Sequence, residues 1–171
     1  IARVGRLIVQ EKANMVVDHI CYDRIEGGYD SSIFTKGGNN RDEAEGYQAS
    51  KCVQDWVFPD GRIESDFAKD LDNAAEVAVY AKLPRGFQIP TPVGNYAPDW
   101  AVAFRDDSGL KHLFFVAETK GSLESFDLRG IENSKIACAK RLFNQLDLAD
   151  GTRYEQATTY QTLLDEVKAL Q

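Results

Sequence analysis

Three charged side chains, at two places in the sequence, have the types and spacing for metal-assisted chemistry. Asp99 precedes an apolar run, and Glu118 and Lys120 follow another. If the two runs form a hairpin whose turn is Ser108-Gly109, Asp99 lies directly opposite Glu118. Opposing residues share a face with their β-carbons roughly 5 Å apart, and Lys120 shares that face because side chains alternate. A longer turn would shift the register by one residue and send Asp99 to the other face.

Two carboxylates held together at the end of an apolar hairpin predict a bound cation. Such carboxylates repel each other, and a hard divalent ion such as Mg²⁺ relieves the repulsion through oxygen ligands. Asp99 and Glu118 are the predicted ligands, with the backbone carbonyl of Thr119 as a further one. The ion would lower the pKa of a bound water and polarise a phosphoryl oxygen, while Lys120 orients the water or stabilises charge on the phosphate. The alternative is a strand cap at Asp99 and an exposed ion pair between Glu118 and Lys120.

The elements that must position these residues follow from the hydrophobic pattern. Apolar residues at Ile63, Phe67 and Leu71 predict a helix over about 62–71, with Asp60 as its N-cap. The other predicted elements are a helix over 2–22, a loop over 26–47, a strand over 76–83, the hairpin, a helix over about 127–146, a strand near 154 and a helix over about 158–169. This order predicts an α/β fold with a three-layer core, in which helices flank a central mixed sheet. We expect an N-terminal helical segment with a loop over 1–46 and the domain with the candidate site over 47–171.

Further charged residues accompany the three central ones. Glu64 lies in the first turn of the predicted helix over 62–71, where it is either a supporting metal ligand or an acid favoured by the helix dipole. The helix after the hairpin carries four basic residues that could contact phosphate groups, although Lys135 has Glu132 as an alternative partner three residues earlier. These four candidates are Arg129, Lys135, Lys140 and Arg141.

Composition limits the class of protein. The chain has 171 residues, of which 43% are hydrophobic, and a formal net charge of -7. The hydrophobic content excludes a disordered chain, and the acidity argues against a free-standing, sequence-indifferent nucleic-acid binder. The charge is unevenly spread, because residues 80–145 hold nine basic against seven acidic residues. The candidate site therefore lies in a mildly basic part of the chain, and we expect the chain alone to bind nucleic acid weakly.

Short sequence signals exclude other classes. Three cysteines without a CxxC pair (Cys21, Cys52 and Cys138) predict buried thiols in a reducing, cytoplasmic compartment. No apolar run is long enough to predict a membrane span, and no signal peptide or nucleotide-binding P-loop occurs. Because the chain starts at Ile1 rather than at methionine, we expect it to be part of a longer protein.

The pattern Pro98-Asp99 with Glu118-Thr119-Lys120 resembles the motif of the PD-(D/E)XK nuclease superfamily. The resemblance is longer than this motif. The segments GRIESDFAKDLD, VYAKLPRGFQIPTPVGNYAPDWAVAF, FFVAETKGS and LRGIENSKIACAKRLF look like the C-terminal endonuclease domain of type III restriction enzyme Res subunits, over about residues 47–146.

This resemblance implies a Mg²⁺-dependent endonuclease that hydrolyses double-stranded DNA, with Asp99, Glu118 and Lys120 as catalytic residues. It also implies attachment to a helicase-like motor that uses ATP, and partnership with a methyltransferase (Mod) subunit that recognises the target in the bacterial cytoplasm. Two alternatives stay open. One is another nuclease of the superfamily that acts in DNA repair or resolves junctions, and the other is a non-catalytic docking module with the same fold.

Overall fold

The computed structural model describes residues 2–22, 30, 32, 46–84, 86–106, 109–117, 126–145, 152–157 and 159–169. The described residues form an α/β fold, as the sequence predicts, with the four predicted helices and with six strands, two more than the sequence predicts. In chain order these are α1 (Ala2–His19), β1 (Tyr47–Gln48), β2 (Trp56–Val57), α2 (Arg62–Asn73), β3 (Val77–Lys82), β4 (Trp100–Asp106), β5 (Gly109–Ala117), α3 (Phe126–Gln145), β6 (Thr152–Gln156) and α4 (Tyr160–Ala169). Most of the predicted loop over 26–47 lies outside the described residues.

A four-stranded mixed sheet is the centre of the fold. Its strand order is β3-β4-β5-β6, in which the first two pairings are antiparallel and the pairing of β5 with β6 is parallel. Parallel neighbours need a crossover connection, which α3 supplies between β5 and β6. A separate antiparallel pair joins β1 to β2. The predicted mixed sheet is therefore confirmed.

The β4–β5 hairpin forms as predicted, but its register differs from the prediction. Asp106 pairs with Gly109, so the turn comes one residue earlier than Ser108-Gly109. A β-bulge between Phe104 and Arg105 then adds one residue to β5, which reverses part of that shift. The strands beyond the bulge are consequently one residue out of the predicted register, since Trp100 pairs with Val116.

One face of the sheet packs against α2 and α4. Every second residue of β4 points to this side and is almost fully buried, as alternation along a strand requires. The helices contribute aromatic and aliphatic side chains to the same cluster. Its members include Trp100, Val102, Phe104, Phe67, Leu71, Leu163 and Val167. The rings of Phe67 and Trp100 are 5.8 Å apart between centroids, in a tilted arrangement.

The opposite face packs against α3. Ile136, Ala139 and Phe143 of this helix share a second buried cluster with Ala101 and Tyr154 of the sheet. Phe143 stacks on Tyr154 with a centroid distance of 5.9 Å. Helices thus contribute apolar side chains to both faces of the sheet.

The N-terminal helix α1 lies on α3. Ala13 and Ile20 are buried, and the Arg141 guanidinium donates a hydrogen bond of 2.8 Å to the carbonyl of Asp18. The amide of Tyr22 donates to Gln145 Oε1 at 2.9 Å. Residues 2–22 therefore contact the rest of the fold through α3, and the division between 1–46 and 47–171 stays a prediction.

Helix α2 starts at the predicted residue but is capped and oriented differently. Its N-cap is Gly61, with no side-chain hydrogen bond, so the predicted cap at Asp60 is wrong. Ile63, predicted to face the core, is 45% exposed, whereas Glu64 is only 7% exposed. The helix is rotated so that Glu64, Phe67 and Leu71 lie on its buried side.

The cysteines are free thiols with different degrees of exposure. Cys138 is buried, as predicted, and Cys52 is half-buried. Cys21 is exposed, so the prediction of buried thiols is wrong for this residue. Among the residues placed by the structure, no helix has both the length and the apolar character needed to cross a bilayer.

The phenols of the half-buried Tyr47 and the buried Tyr80 connect β1 to the sheet and make the stability depend on pH. Tyr47 Oη and Tyr80 Oη are 2.8 Å apart, and Tyr80 Oη lies 3.4 Å from Asp72 Oδ1. Burial raises the pKa of Tyr47 to about 12 and raises the pKa of Tyr80 well above its ordinary value. The unfolded chain loses these protons first, from about pH 10, so folding stability is retained below that pH and lost as the pH rises further.

We therefore expect the free energy of unfolding to fall by about 1.4 kcal/mol per pH unit above roughly pH 10 through Tyr80 alone. Urea unfolding curves at several alkaline pH values measure this slope. Tyr80→Phe, which cannot ionise, should lose less stability between neutral pH and pH 11 than the parent protein loses. Equal losses in the two proteins would contradict the assignment.

Candidate active site

Asp99 stands in a bend between the irregular segment 86–98 and β4. The preceding Pro98 is almost fully buried and the following Trp100 is completely buried, while Asp99 itself is half-buried. The carbonyl of Asp99 accepts a hydrogen bond of 2.8 Å from the amide of Leu83. The backbone at Asp99 is thus tied to the end of β3, and the residue as a whole is partly accessible to solvent.

The position of Asp99 relative to the end of β5 differs from the prediction. The observed pairing of Trp100 with Val116, continued by one residue, sets Asp99 opposite Ala117 rather than Glu118. The predicted cross-strand pair is therefore wrong by one residue. Because Asp99 lies in a bend, strand alternation does not fix the direction of its side chain. Glu118, Thr119 and Lys120 lie outside the described residues, so their convergence on Asp99 stays a prediction.

Glu64 is a buried residue whose carboxylate accepts two hydrogen bonds through one oxygen. Its Oε2 accepts a hydrogen bond of 2.8 Å from the amide of Asp60, just before α2. The same oxygen accepts a hydrogen bond from the ammonium of Lys82 on β3. A buried carboxylate requires such partners, because an unpaired charge resists removal from water. Glu64 therefore joins the start of α2 to the end of β3.

Lys82 is a residue of this region that the sequence does not single out. Its ammonium donates to the carbonyl of Phe58 at 3.1 Å and lies 3.5 Å from Asp60 Oδ2. It also lies 5.8 Å from the centroid of the Trp100 ring, within the range of a cation–π contact. The available signal was a lysine that ends an otherwise apolar strand. The sequence does not identify Glu64 as its partner, because the apolar pattern of α2 predicts a buried side formed by Ile63, Phe67 and Leu71.

The basic residues of α3 differ in what they contact. Lys140 Nζ forms an ion pair of 2.6 Å with Glu155 Oε2, and Arg141 contacts α1. The side chain of Lys135 passes close to Gly94. A Cβ atom added to Gly94 would lie 3.3 Å from Lys135 Cε. Arg129 lies on α3, and its side chain falls outside the description. Phosphate contact by these four residues stays a prediction. Lys140 and Arg141 would contact a phosphate while also bound to Glu155 and to the carbonyl of Asp18.

The chemistry of the predicted donor set suits a hard cation. Two carboxylates and a backbone carbonyl are oxygen ligands of the kind Mg²⁺ prefers. Within the part of the chain that the structure describes, no three His, Cys, Asp or Glu residues are grouped closely enough to hold a metal ion. Of the predicted ligands, Asp99 and Glu64 are described. Glu64 Oε2 is already bound by Lys82 and by a backbone amide, which favours a supporting role over direct ligation.

The geometry defines an α/β domain with a mixed sheet and a half-buried aspartate directly before the second strand of that sheet. A family model described as an endonuclease domain matches residues 50–162, which is more than half of the chain, and the chain therefore belongs to that family. The matched range contains Glu64, Lys82, Asp99 and the Glu118-Thr119-Lys120 motif. No curated protein matches the chain, and neither does any solved structure.

Proposed function

We propose that this chain is the Mg²⁺-dependent endonuclease domain of a type III restriction enzyme, which hydrolyses phosphodiester bonds of double-stranded DNA. The observation that carries the proposal is the endonuclease-domain match, because it spans both halves of the motif, Pro98-Asp99 and Glu118-Thr119-Lys120. In the sequence the first half directly precedes β4 and the second directly follows β5, and the antiparallel pairing of these two strands supports the assignment of both halves to one site.

The fold proposed for this function is the three-layer PD-(D/E)XK core. Support comes from the two buried clusters, since α2 and α4 pack on one face of the mixed sheet and α3 packs on the other. Support also comes from the order helix, strand, hairpin, helix around the motif. Residues 1–46 add a helical segment to this core.

In the proposed mechanism, the carboxylates of Asp99 and Glu118 and the carbonyl of Thr119 would hold the metal ion. When bound, Mg²⁺ would polarise a phosphoryl oxygen and lower the pKa of a bound water. Lys120 orients the attacking water and stabilises the negative charge that develops on the phosphate. The water oxygen bonds to phosphorus as the bond to the leaving oxygen breaks, and that oxygen takes up a proton. Glu64 supports the site from the buried side of α2.

The proposed partners follow from the charge of the chain and from the family resemblance. Arg129, Lys135, Lys140 and Arg141 are the proposed contacts to DNA phosphates, within the mildly basic residues 80–145. The chain as a whole is acidic, so tight DNA binding would come from the remainder of the enzyme. We propose that this remainder comprises a helicase-like motor that uses ATP and a methyltransferase (Mod) subunit, all in the bacterial cytoplasm.

Metal binding tests the proposal independently of the motor. Mn²⁺, a spectroscopic substitute for Mg²⁺, is titrated into the complete enzyme without ATP, and the electron paramagnetic resonance signal of free Mn²⁺ is followed. We expect binding that Asp99→Asn removes, because the amide is a poorer ligand than the carboxylate. Asp55→Asn, at an exposed acid on the β1–β2 segment, is the matched control and should bind Mn²⁺ normally. Binding that is absent, or unchanged in Asp99→Asn, would favour the non-catalytic docking module.

A further inference from the structure

Lys82 lies where three parts of the fold meet beside Asp99. It is the last residue of β3 and pairs with Trp100, the residue that follows Asp99. The next residue, Leu83, binds the carbonyl of Asp99 through its amide. The backbone at Lys82 is therefore one pairing position away from the backbone at Asp99.

The ammonium of Lys82 is surrounded by oxygen atoms from a second part of the chain. Glu64 Oε2, the carbonyl of Phe58 and Asp60 Oδ2 all lie within ion-pair or hydrogen-bond distance of it. The side chain is only 21% exposed, in contrast to the exposed lysines of most protein surfaces. These contacts hold the ammonium in place. The lysine thereby connects the start of α2 to Trp100 at the start of β4.

Both donors to Glu64, the Asp60 amide and the Lys82 ammonium, bind the same oxygen. Such a pair of bonds fixes the rotation of the carboxylate, and Glu64 Oε1 carries neither of them. The Lys82 ammonium meanwhile lies over the indole of Trp100, next to Asp99 in the chain. The Lys82 side chain therefore contacts Glu64 itself and the residue that directly follows Asp99.

We propose that Lys82 is a positioning residue of the nuclease site, which holds Glu64 and the start of β4 in a fixed relation so that Glu64 supports the metal site to which Asp99 belongs. This inference rests on the proposed nuclease function. Lys82 touches neither DNA nor metal in this role, and it acts only through the two acids and the strand.

The direction in which Mn²⁺ affinity changes when Lys82 is removed separates a positioning role from a purely electrostatic one. A lysine near a cation site repels the cation, so its loss would tighten metal binding if charge alone mattered. A positioning residue has the opposite effect, because its loss disorders the acids. Outer-shell partners of metal ligands typically change metal affinity by about 10–100-fold when they are removed. We therefore expect Lys82→Met to weaken Mn²⁺ binding by the complete enzyme about 10-fold.

Three variants make the test independent of folding stability. Lys82→Arg keeps a charged donor and should retain part of the Mn²⁺ affinity. The double variant Lys82→Met with Glu64→Met removes both buried charges, so thermal stability should recover relative to Lys82→Met while Mn²⁺ affinity stays low. Tyr160→Phe deletes a hydroxyl that donates to Glu76, which precedes β3 at the end away from Lys82, and is the control expected to lose stability without losing affinity.

Tighter Mn²⁺ binding in Lys82→Met, or affinity restored to the parent value in the double variant, would overturn the positioning role. Unchanged affinity in Lys82→Met would overturn it equally. If Asp99→Asn still binds Mn²⁺, the proposed function itself fails. If Asp99→Asn loses binding and Lys82→Met does not, only the inference about Lys82 fails.

Discussion

Asp99→Ala is expected to abolish DNA cleavage by the complete enzyme while leaving its ATP hydrolysis intact. In the proposed site the Asp99 carboxylate is a metal ligand, and alanine offers no oxygen in its place. A loss of at least about a thousandfold in cleavage rate corresponds to ~4 kcal/mol of transition-state stabilisation. Cleavage of a linear duplex that carries the target sequence, assayed beside ATP turnover in one preparation, measures both activities.

This substitution is expected to keep the backbone contact at position 99. The hydrogen bond at Asp99 to Leu83 uses the backbone carbonyl, which alanine retains. The side chain is only half-buried, so its removal leaves no large cavity. Asp55→Ala, at an exposed acid, should cut DNA at the parent rate. Normal cleavage by Asp99→Ala would show that the metal site has been assigned to the wrong residue.

The helices and strands were largely predictable because their signals are local. Helix α3 and the β4–β5 hairpin carry clear apolar periodicity, and the structure places them within a few residues of the predicted bounds. The register of the hairpin was not predictable in this way. It depends on a bulge between Phe104 and Arg105, which no residue type in the sequence announces.

The sequence singles out Asp99 as a candidate but does not identify the residues that surround it. A carboxylate before an apolar strand is a visible pattern, and so is the motif at Glu118. The pairing of Glu64 with Lys82 required knowledge of how α2 is rotated, since one helical position separates a buried residue from an exposed one. Tertiary packing decides how a helix is rotated on a sheet, and helix propensity does not predict that rotation.

Trp100→Ala is expected to destabilise the protein by about 3–5 kcal/mol, the usual range for deletion of a buried tryptophan side chain. Trp100 is completely buried, and its ring lies 6.2 Å from that of Tyr80 as well as beside Phe67. The side chain fills the space between the sheet and α2, which alanine would leave empty. Urea unfolding followed by circular dichroism measures the loss, because the substitution removes one of the two tryptophan fluorophores.

Trp100→Phe is the matched variant and should cost much less, about 1–1.5 kcal/mol. Among the residues that the structure describes, the indole Nε1 of Trp100 has no hydrogen-bond partner. A buried donor without a partner carries a desolvation cost, which phenylalanine removes together with part of the ring volume. The aromatic face beneath the Lys82 ammonium is retained as well. If phenylalanine proved as costly as alanine, the indole N–H would have to be contributing a hydrogen bond, and the tryptophan would be needed for more than its volume.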